Sequence, residues 1–336
     1  RSDWVDQMYL LMGNAYMHRK DFDSAAWVFN YINYAFAAKD EGYDLPIGSN
    51  VSSKGGTFSV STDEKRNFWK KISSPKPARN ESFLLQSRNF IEQEKLAEAE
   101  ALLQVLAADK FFPERLKTTW NEYNAYLLYK ENQYDSAAFY LSKALPNAQS
   151  KLESARWEYL IAQMYSLSNQ DSLSVLWYEK AINHTTDPLM DVYARLNLVS
   201  LSSDIKVDAV NFHLTQLLEM DKKEKYQSYR DLIYYAAAEL ELRQNNLKNA
   251  ENWLNKSISN SEGNSLQKTK SYFLLAETLY KNKKYIPASA AYDSLTISLL
   301  NVEEANRVNQ KKEPLKRIAL ALKAVNREDS LKRIAL

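Results

Sequence analysis

One arrangement of large and small apolar positions returns along this chain. Tyr9, Gly13, Tyr16, Ala25 and Phe29 set a register of large, small, large, small, large. The stretch KDFDSAAWVF, Lys20 to Phe29, is nearly repeated as NQYDSAAFYL, Asn132 to Leu141. Such spacing predicts two antiparallel helices with a small residue on each where they cross. Packed helix axes lie about 8–10 Å apart, which leaves no room there for a long side chain. The register returns as Ala99 with Leu103, and as Ala125, Leu128, Ala137, Leu141 and Ala144. It continues in Ala162, Tyr165, Ser174, Tyr178 and Ala181, then Ala238, Ala250 and Leu254, then Ala276, Leu279, Ala288 and Tyr292.

The small residue of the second helix falls at 99, 137, 174, 250 and 288, in steps of 38, 37, 76 and 38. A step of 76 is two periods, so a further pair with weaker signals is expected between Ser174 and Ala250, from Leu189–Leu201 and Val207–Met220. With the pair at the N-terminus this makes seven. The elements G-x-x-Y and A-x-x-x-F match the tetratricopeptide pattern, although a period near 38 exceeds its usual 34 and implies about one extra helical turn per repeat. Pro113, Pro146 and Pro188 fall between the pairs. The polar triplets at Arg19–Asp21, Glu131–Gln133, Ser168–Gln170, Gln244–Asn246 and Lys281–Lys283 fall within them. The fold class expected is all-α, a tetratricopeptide-repeat superhelix of about seven units with one irregular insertion.

That insertion lies between Ala25 and Ala99, which are 74 residues apart with no repeat between them. Residues 41–80 hold four of the six glycines and three of the eight prolines. Thr57 to Ser61 alternates as a short strand would, and Ser61 with Glu64 offers a capping box to a helix ending near Ile72. The expected organisation is a first unit over 1–40, the insertion over 41–80, the array over 81–300 and a basic helical extension over 301–336.

Composition narrows the function. The 336 residues carry 44 Lys+Arg against 42 Asp+Glu, so no net field recruits nucleic acid. There is no cysteine, hence no disulfide and no thiolate chemistry. No apolar run approaches the roughly 18 residues of a membrane span, and the chain opens on Arg1 with no signal peptide, as a mature or fragment product would. His18, His184 and His213 are scattered without metal spacing, Gly55-Gly56 lacks a phosphate-loop frame, and no nucleophile motif occurs. No enzyme activity, cofactor or metal is expected.

The stretch from Tyr9 to Asn50 together with GGTFSVSTDEKR resembles the PorW/SprE family of tetratricopeptide lipoproteins, which serve type IX secretion and gliding motility. KYQSYRDLIYYAAAELELRQNNLKNAE and NREDSLKRIAL are similar to the same family. The resemblance runs over most of the chain, and the insertion is its most specific part. It implies a periplasmic scaffold at the outer membrane that joins the secretion translocon to ring and motor components. The family's lipidated N-terminal cysteine and a large C-terminal portion lie outside this stretch, so the membrane anchor it implies is absent here.

Stacked helix pairs present a face lined by their first helices, suited to an extended peptide or a partner's helix. In register, the partner-facing rings are Tyr126, Tyr129, Tyr159, Tyr235, Phe273 and Tyr280, beside Gln163, Glu239 and Glu277; packing between repeats is their other reading. Tyr43, Phe58 and Trp69 would make the insertion a hook for a partner, or else part of a cap on the first repeat. Nine Lys or Arg against three acids from Asn306 to Leu336 suit a helix at a membrane or partner surface, or a solvated extension. The functional alternative is an outer-membrane glycan-binding lipoprotein of SusD-like kind, with exposed rings as sugar platforms.

Overall fold

The computed structural model describes residues 4–36, 60–64, 75–201 and 207–335. Among them are fifteen α-helices and no strand. They run α1 (Val5–His18), α2 (Phe22–Ala35), α3 (Arg79–Glu92), α4 (Leu96–Ala108), α5 (Lys117–Lys130), α6 (Tyr134–Ala144), α7 (Lys151–Leu167) and α8 (Asp171–His184). They continue as α9 (Pro188–Leu201), α10 (Val207–Asp221), α11 (Arg230–Arg243), α12 (Leu247–Asn260), α13 (Ser265–Lys281), α14 (Tyr285–Asp293) and α15 (Val302–Ala335). Fourteen of them form the seven expected pairs, and α15 follows the last. The chain divides into two compact units, Arg1–Lys180 and Ala181–Leu336.

The crossing residues are where the register puts them. Ala25, Ala99, Ala137, Ser174, Ala250 and Ala288 are all at 0% exposure. Each has a small partner twelve residues earlier on the first helix: Gly13, Ser87, Ala125, Ala162, Ala238 and Ala276, all buried. Gly13 shows how close the approach is. A Cβ added to it would lie 2.9 Å from Cζ of Phe29, a ring with no exposure of its own. Where serine replaces alanine its hydroxyl is satisfied locally: Ser174 Oγ donates to Ala162 O at 2.7 Å, from one crossing residue to the other.

Each of these six pairs closes with the same turn. Lys20, Glu94, Asn132, Asn169, Asn245 and Lys283 stand seven residues after the small residue of the first helix, and all adopt φ between 56° and 61°. The next N–H reaches back over the turn: Asp21 N to Tyr16 O, Lys95 N to Phe90 O, Gln133 N to Leu128 O, and so on to Lys284 N on Leu279 O, at 2.8–2.9 Å. This is the long bond of a Schellman-type helix ending, which satisfies a carbonyl the helix would leave open. The same residue then starts the second helix, its carbonyl accepting from the crossing residue, as in Ala25 N to Asp21 O at 3.1 Å. Three of the six left-handed positions hold Asn, which tolerates that conformation, and none holds glycine.

The fifth pair departs from the pattern. In α9 and α10 the register position 38 residues from both Ser174 and Ala250 holds Phe212, 59% exposed, while Leu198 and Val210 are buried at 3%. With Val192, Leu196, Leu217, Met220, Tyr226, Leu232, Ile233, Ala236 and Leu240, Val210 forms a core cluster of the second unit. Phe212 in place of a small residue at that spacing is why the sequence signal fades here.

The described piece of the insertion is stitched to the second pair. Val60 N and Ser61 N both donate to Asp109 Oδ2 at 2.7 Å. Thr62 and Asn80 exchange two bonds at 2.8 Å, N–H to Oδ1 and Nδ2 to carbonyl. Glu64 takes Arg115 in a two-pronged pair at 2.8 and 2.9 Å. Further along, Ala78 N donates to the buried Asp6 at 2.8 Å and Gln7 Nε2 to Lys76 O at 2.7 Å. Val60 and Ser61, the described end of the expected strand, are therefore irregular. A carboxylate takes both of their N–H groups in place of a neighbouring strand. Glu64 spends its oxygens on Arg115 and Asn80 at 3.1 Å. The rest of the expected strand and of the expected helix lies outside the described residues.

Candidate functional site

In the first unit the first helices of three successive repeats enclose a groove of about 530 Å³. Its walls are Leu11, Asn14, Ala15 and His18 of α1, Glu81, Leu84, Leu85 and Arg88 of α3, and Thr119 and Tyr123 of α5. The repeat geometry explains the set. Leu11, Leu85 and Tyr123 stand two residues before the crossing residue of their helix, so they form one apolar row across the stack. Asn14 and Arg88 stand one residue after it and form a polar row beside the first. The fourth first helix, α7, carries Leu160 and Gln163 at the same two positions, and Leu160 is 47% exposed. An apolar track with a polar border thus spans the first unit.

Arg88 dominates the electrostatics of the groove. Its guanidinium lies 5.8 Å from the centre of the Tyr123 ring and 3.9 Å from Glu92 on the next turn of its own helix. Burial pushes the Tyr123 phenol up, with Arg88 pulling the other way. Glu81, two turns before Arg88 on α3, faces Arg115 at 3.5 Å, and Arg115 also holds Glu64. The segment that returns from the insertion is in this way tied to a wall of the groove. The arrangement offers a greasy floor, one half-exposed cation and several amide or hydroxyl partners, a composition suited to a protein or peptide segment.

The rings picked from the register are distributed differently. Tyr126 is half-buried against the core cluster, with Lys130 Nζ 5.8 Å from its ring centre. Burial raises its phenol, and Glu92 adds to this. Tyr129 is exposed and tilts against Tyr134 at 5.9 Å. Tyr159 is half-buried and meets Tyr178 edge to face at 5.5 Å. In the second unit Tyr235 and Phe273 pack on the same core cluster. Burial raises the Tyr235 hydroxyl strongly, and the hydrogen-bonded Glu239 adds to it; burial raises Glu239 as well. Tyr280 is exposed, with Tyr285 at 5.8 Å and Lys311 of α15 at 5.0 Å from its ring. Tyr43, Phe58 and Trp69 lie outside the described residues.

The sequence reading reached the polar row at Gln163, and Tyr126 shares that row's offset from the crossing, but none of the rings it chose is among the groove's walls. Tyr123, Arg88, Asn14 and His18 were all within reach of it, because each stands at a fixed offset from a crossing residue. A choice of rings by size passed over a row in which two of three members are leucines.

No protein-family model and no curated protein matches the chain. Among solved structures it is similar to the apo form of RapI, with a TM-score of 0.57 at 13% identity, over 96% of this chain and 87% of that one. A Rap protein complexed with competence and sporulation factor aligns at a TM-score of 0.43 and 16% identity, over 90% and 77% of the two chains. The TPR2AB domain of yeast Sti1 in complex with pHSP90 aligns at 0.27 and 14%, over 71% and 99%. The first of these, with the helix pairs described above, defines the class: the chain has an all-helical, tetratricopeptide-type repeat fold.

Proposed function

We propose that the chain is a non-catalytic scaffold whose first unit receives a segment of a partner protein along the track through Leu11, Leu85, Tyr123 and Leu160. The carrying observation is the groove of about 530 Å³ between three first helices, with Arg88 half-exposed beside an apolar floor. Repeat arrays present this face because each pair buries only its neighbours and leaves the other side of the first helices open. The resemblance to the PorW/SprE family supports a finer reading: a scaffold at the periplasmic face of the outer membrane, held there by a lipid anchor on the parent chain. In that reading its partners are translocon and ring components of type IX secretion, and gliding depends on the link.

The test is site-specific crosslinking in envelopes of a gliding bacterium, with a photoreactive side chain at Leu11 in the groove or at Phe139 on the exposed side of α6. Translocon or ring proteins recovered from position 11 and not from position 139 support the proposal. Equal recovery from both, or recovery of glycan alone, sinks it. Arg88→Gln should weaken capture while the chain keeps its helical circular dichroism, although the guanidinium's contacts to the Tyr123 ring and to Glu92 are lost.

A further inference from the structure

One carboxylate and one guanidinium line the groove, and both come from α3. Glu81 and Arg88 stand seven residues apart there. Seven residues fall 20° short of two turns, so both side chains project to the same side, about 10.5 Å apart along the axis. Leu85 of the apolar row lies between them, with Glu81 one turn before it and Arg88 one turn after. The other members of their rows along the groove are uncharged: Gln7 and Thr119 beside Glu81, Asn14 and Tyr126 beside Arg88. Arg156 of α7 shares the row of Glu81 but is not among the groove's walls. One turn beyond Arg88 the row of His18, Glu92 and Lys130 carries both signs, and Lys130 is bound to Glu94 at 2.6 Å. Within the groove the apolar row is thus bordered by an acid on one flank and a base on the other.

Both groups can still take a ligand. Arg88 and Glu81 are 41% and 40% exposed, and their ion partners are loose, Glu92 at 3.9 Å and Arg115 at 3.5 Å. Arg115 gives its close bonds to Glu64, at 2.8 and 2.9 Å. A good hydrogen bond is no longer than about 3.2 Å, so each group keeps bonding capacity. Shape selects what can use it. An α-helix with its side chains is about 10–12 Å wide, so one laid along the apolar row reaches Glu81 with one flank and Arg88 with the other. An extended segment would find no open backbone edge, because the first helices bond their own N–H and C=O groups internally.

Resting on the groove reading above, we propose that the ligand is an amphipathic helix of a partner protein whose apolar stripe is bordered by a cation on one flank and a carboxylate on the other. The cation meets Glu81 and the carboxylate meets Arg88, while leucine-like residues cover Leu11, Leu85 and Tyr123. Reversing a helix exchanges its flanks. Glu81 and Arg88 therefore also fix the direction in which the partner helix runs across the stack.

The probes are 14-residue peptides held helical by a staple on the outward side, with Leu at heptad positions a and d. One carries a central Lys at e and Glu at g, its twin the reverse, and two controls carry Lys at both or Glu at both. Titrated against the whole chain, the two mixed peptides should bind at least about fivefold more tightly than either control, and less so as salt rises. Glu81→Gln should erase the advantage over the Glu control, and Arg88→Gln that over the Lys control, with helical circular dichroism retained. The chain has no cysteine, so Met8→Cys on α1 and Leu160→Cys on α7 each accept a single nitroxide. A fluorophore at the peptide N-terminus should be quenched from one of these positions in the first mixed peptide and from the other in its twin. Equal binding of all four peptides, or two mixed peptides that lie the same way, overturns the proposal; if Leu11→Asp still abolishes their binding, the groove reading survives. Binding that Leu11→Asp leaves intact overturns the groove reading as well. Failure of every peptide to bind, or a dimer in sedimentation that Leu11→Asp dissolves, gives the groove another occupant and overturns the helix.

Discussion

Replacing Gly13 by alanine tests the crossing geometry most sharply, because two effects of known size oppose each other. In an ordinary helix interior, Gly→Ala stabilises by about 0.8–1.0 kcal/mol. Here the new methyl would sit 2.9 Å from Cζ of Phe29, and closer still to the neighbouring ring atom. That ring is completely buried and belongs to the core formed by Ala25, Val28, Ile32, Leu84 and their neighbours, so it cannot swing aside cheaply. Overpacking of this kind costs about 1–3 kcal/mol. The clash wins, and Gly13→Ala should destabilise the first pair by about 1 kcal/mol. Phe29→Leu removes the outer ring atoms and costs about 1–2 kcal/mol by itself. In that background the methyl has room, so Gly13→Ala should change sign and stabilise by up to about 1 kcal/mol. Native-state hydrogen exchange on peptides from α1 and α2 reads the local free energy, which matters in a chain with two compact units. Stabilisation by Gly13→Ala in the natural background, or the same effect in both backgrounds, would refute the reasoning.

Other expectations can be checked on the same protein. Ala137→Glu and Ala250→Glu each put a charge and added volume at a fully buried crossing, and should lower stability by about 3–5 kcal/mol in urea melts. An unchanged midpoint in both would reject the register. Lys20→Gly and Lys283→Gly relieve a left-handed conformation in a residue with a Cβ and should stabilise by about 0.5–1 kcal/mol each, seen as a higher denaturation midpoint. Burial raises the carboxyl of Asp231 above its ordinary range, with Leu232 N–H and Asn264 drawing it partly back. Its folded pKa then exceeds the unfolded one. The stability tied to its proton is present below the unfolded pKa and fades as pH climbs through the folded value. Asp231→Asn should remove that fall, flattening the dependence of melting temperature on pH in the acid range; an unaltered profile would show that Asp231 titrates normally in the fold.

What could be read in the sequence was the part that close packing enforces. Six pairs hold only Gly, Ala or Ser at their crossings and so announced themselves, and the spacing between crossings predicted the place of the seventh. The seventh stayed faint because the position 38 residues from both Ser174 and Ala250 holds Phe212. Five polar turns were visible as triplets, yet the left-handed residue of the last is Lys283 and not Asn282, and Glu94 in a sixth turn had no asparagine to signal it. Asp109, Asn80 and Arg115 hold the returning end of the insertion through bonds spanning 18 to 51 residues, and no local pattern encodes such partners. The groove belongs to the same class, since it exists only when α1, α3 and α5 stand side by side.

The six identical turns bear on how the chain reaches its fold. Each closes a helix pair with bonds that span five residues or fewer, and each crossing joins residues twelve apart. Contacts this local keep contact order low, the condition under which helical proteins fold fastest. Every pair can form as soon as it is free, then serve as a template for the next, so structure can grow from one end without waiting for the other. A chain of this design can gain its shape vectorially, segment by segment, during synthesis or passage across a membrane.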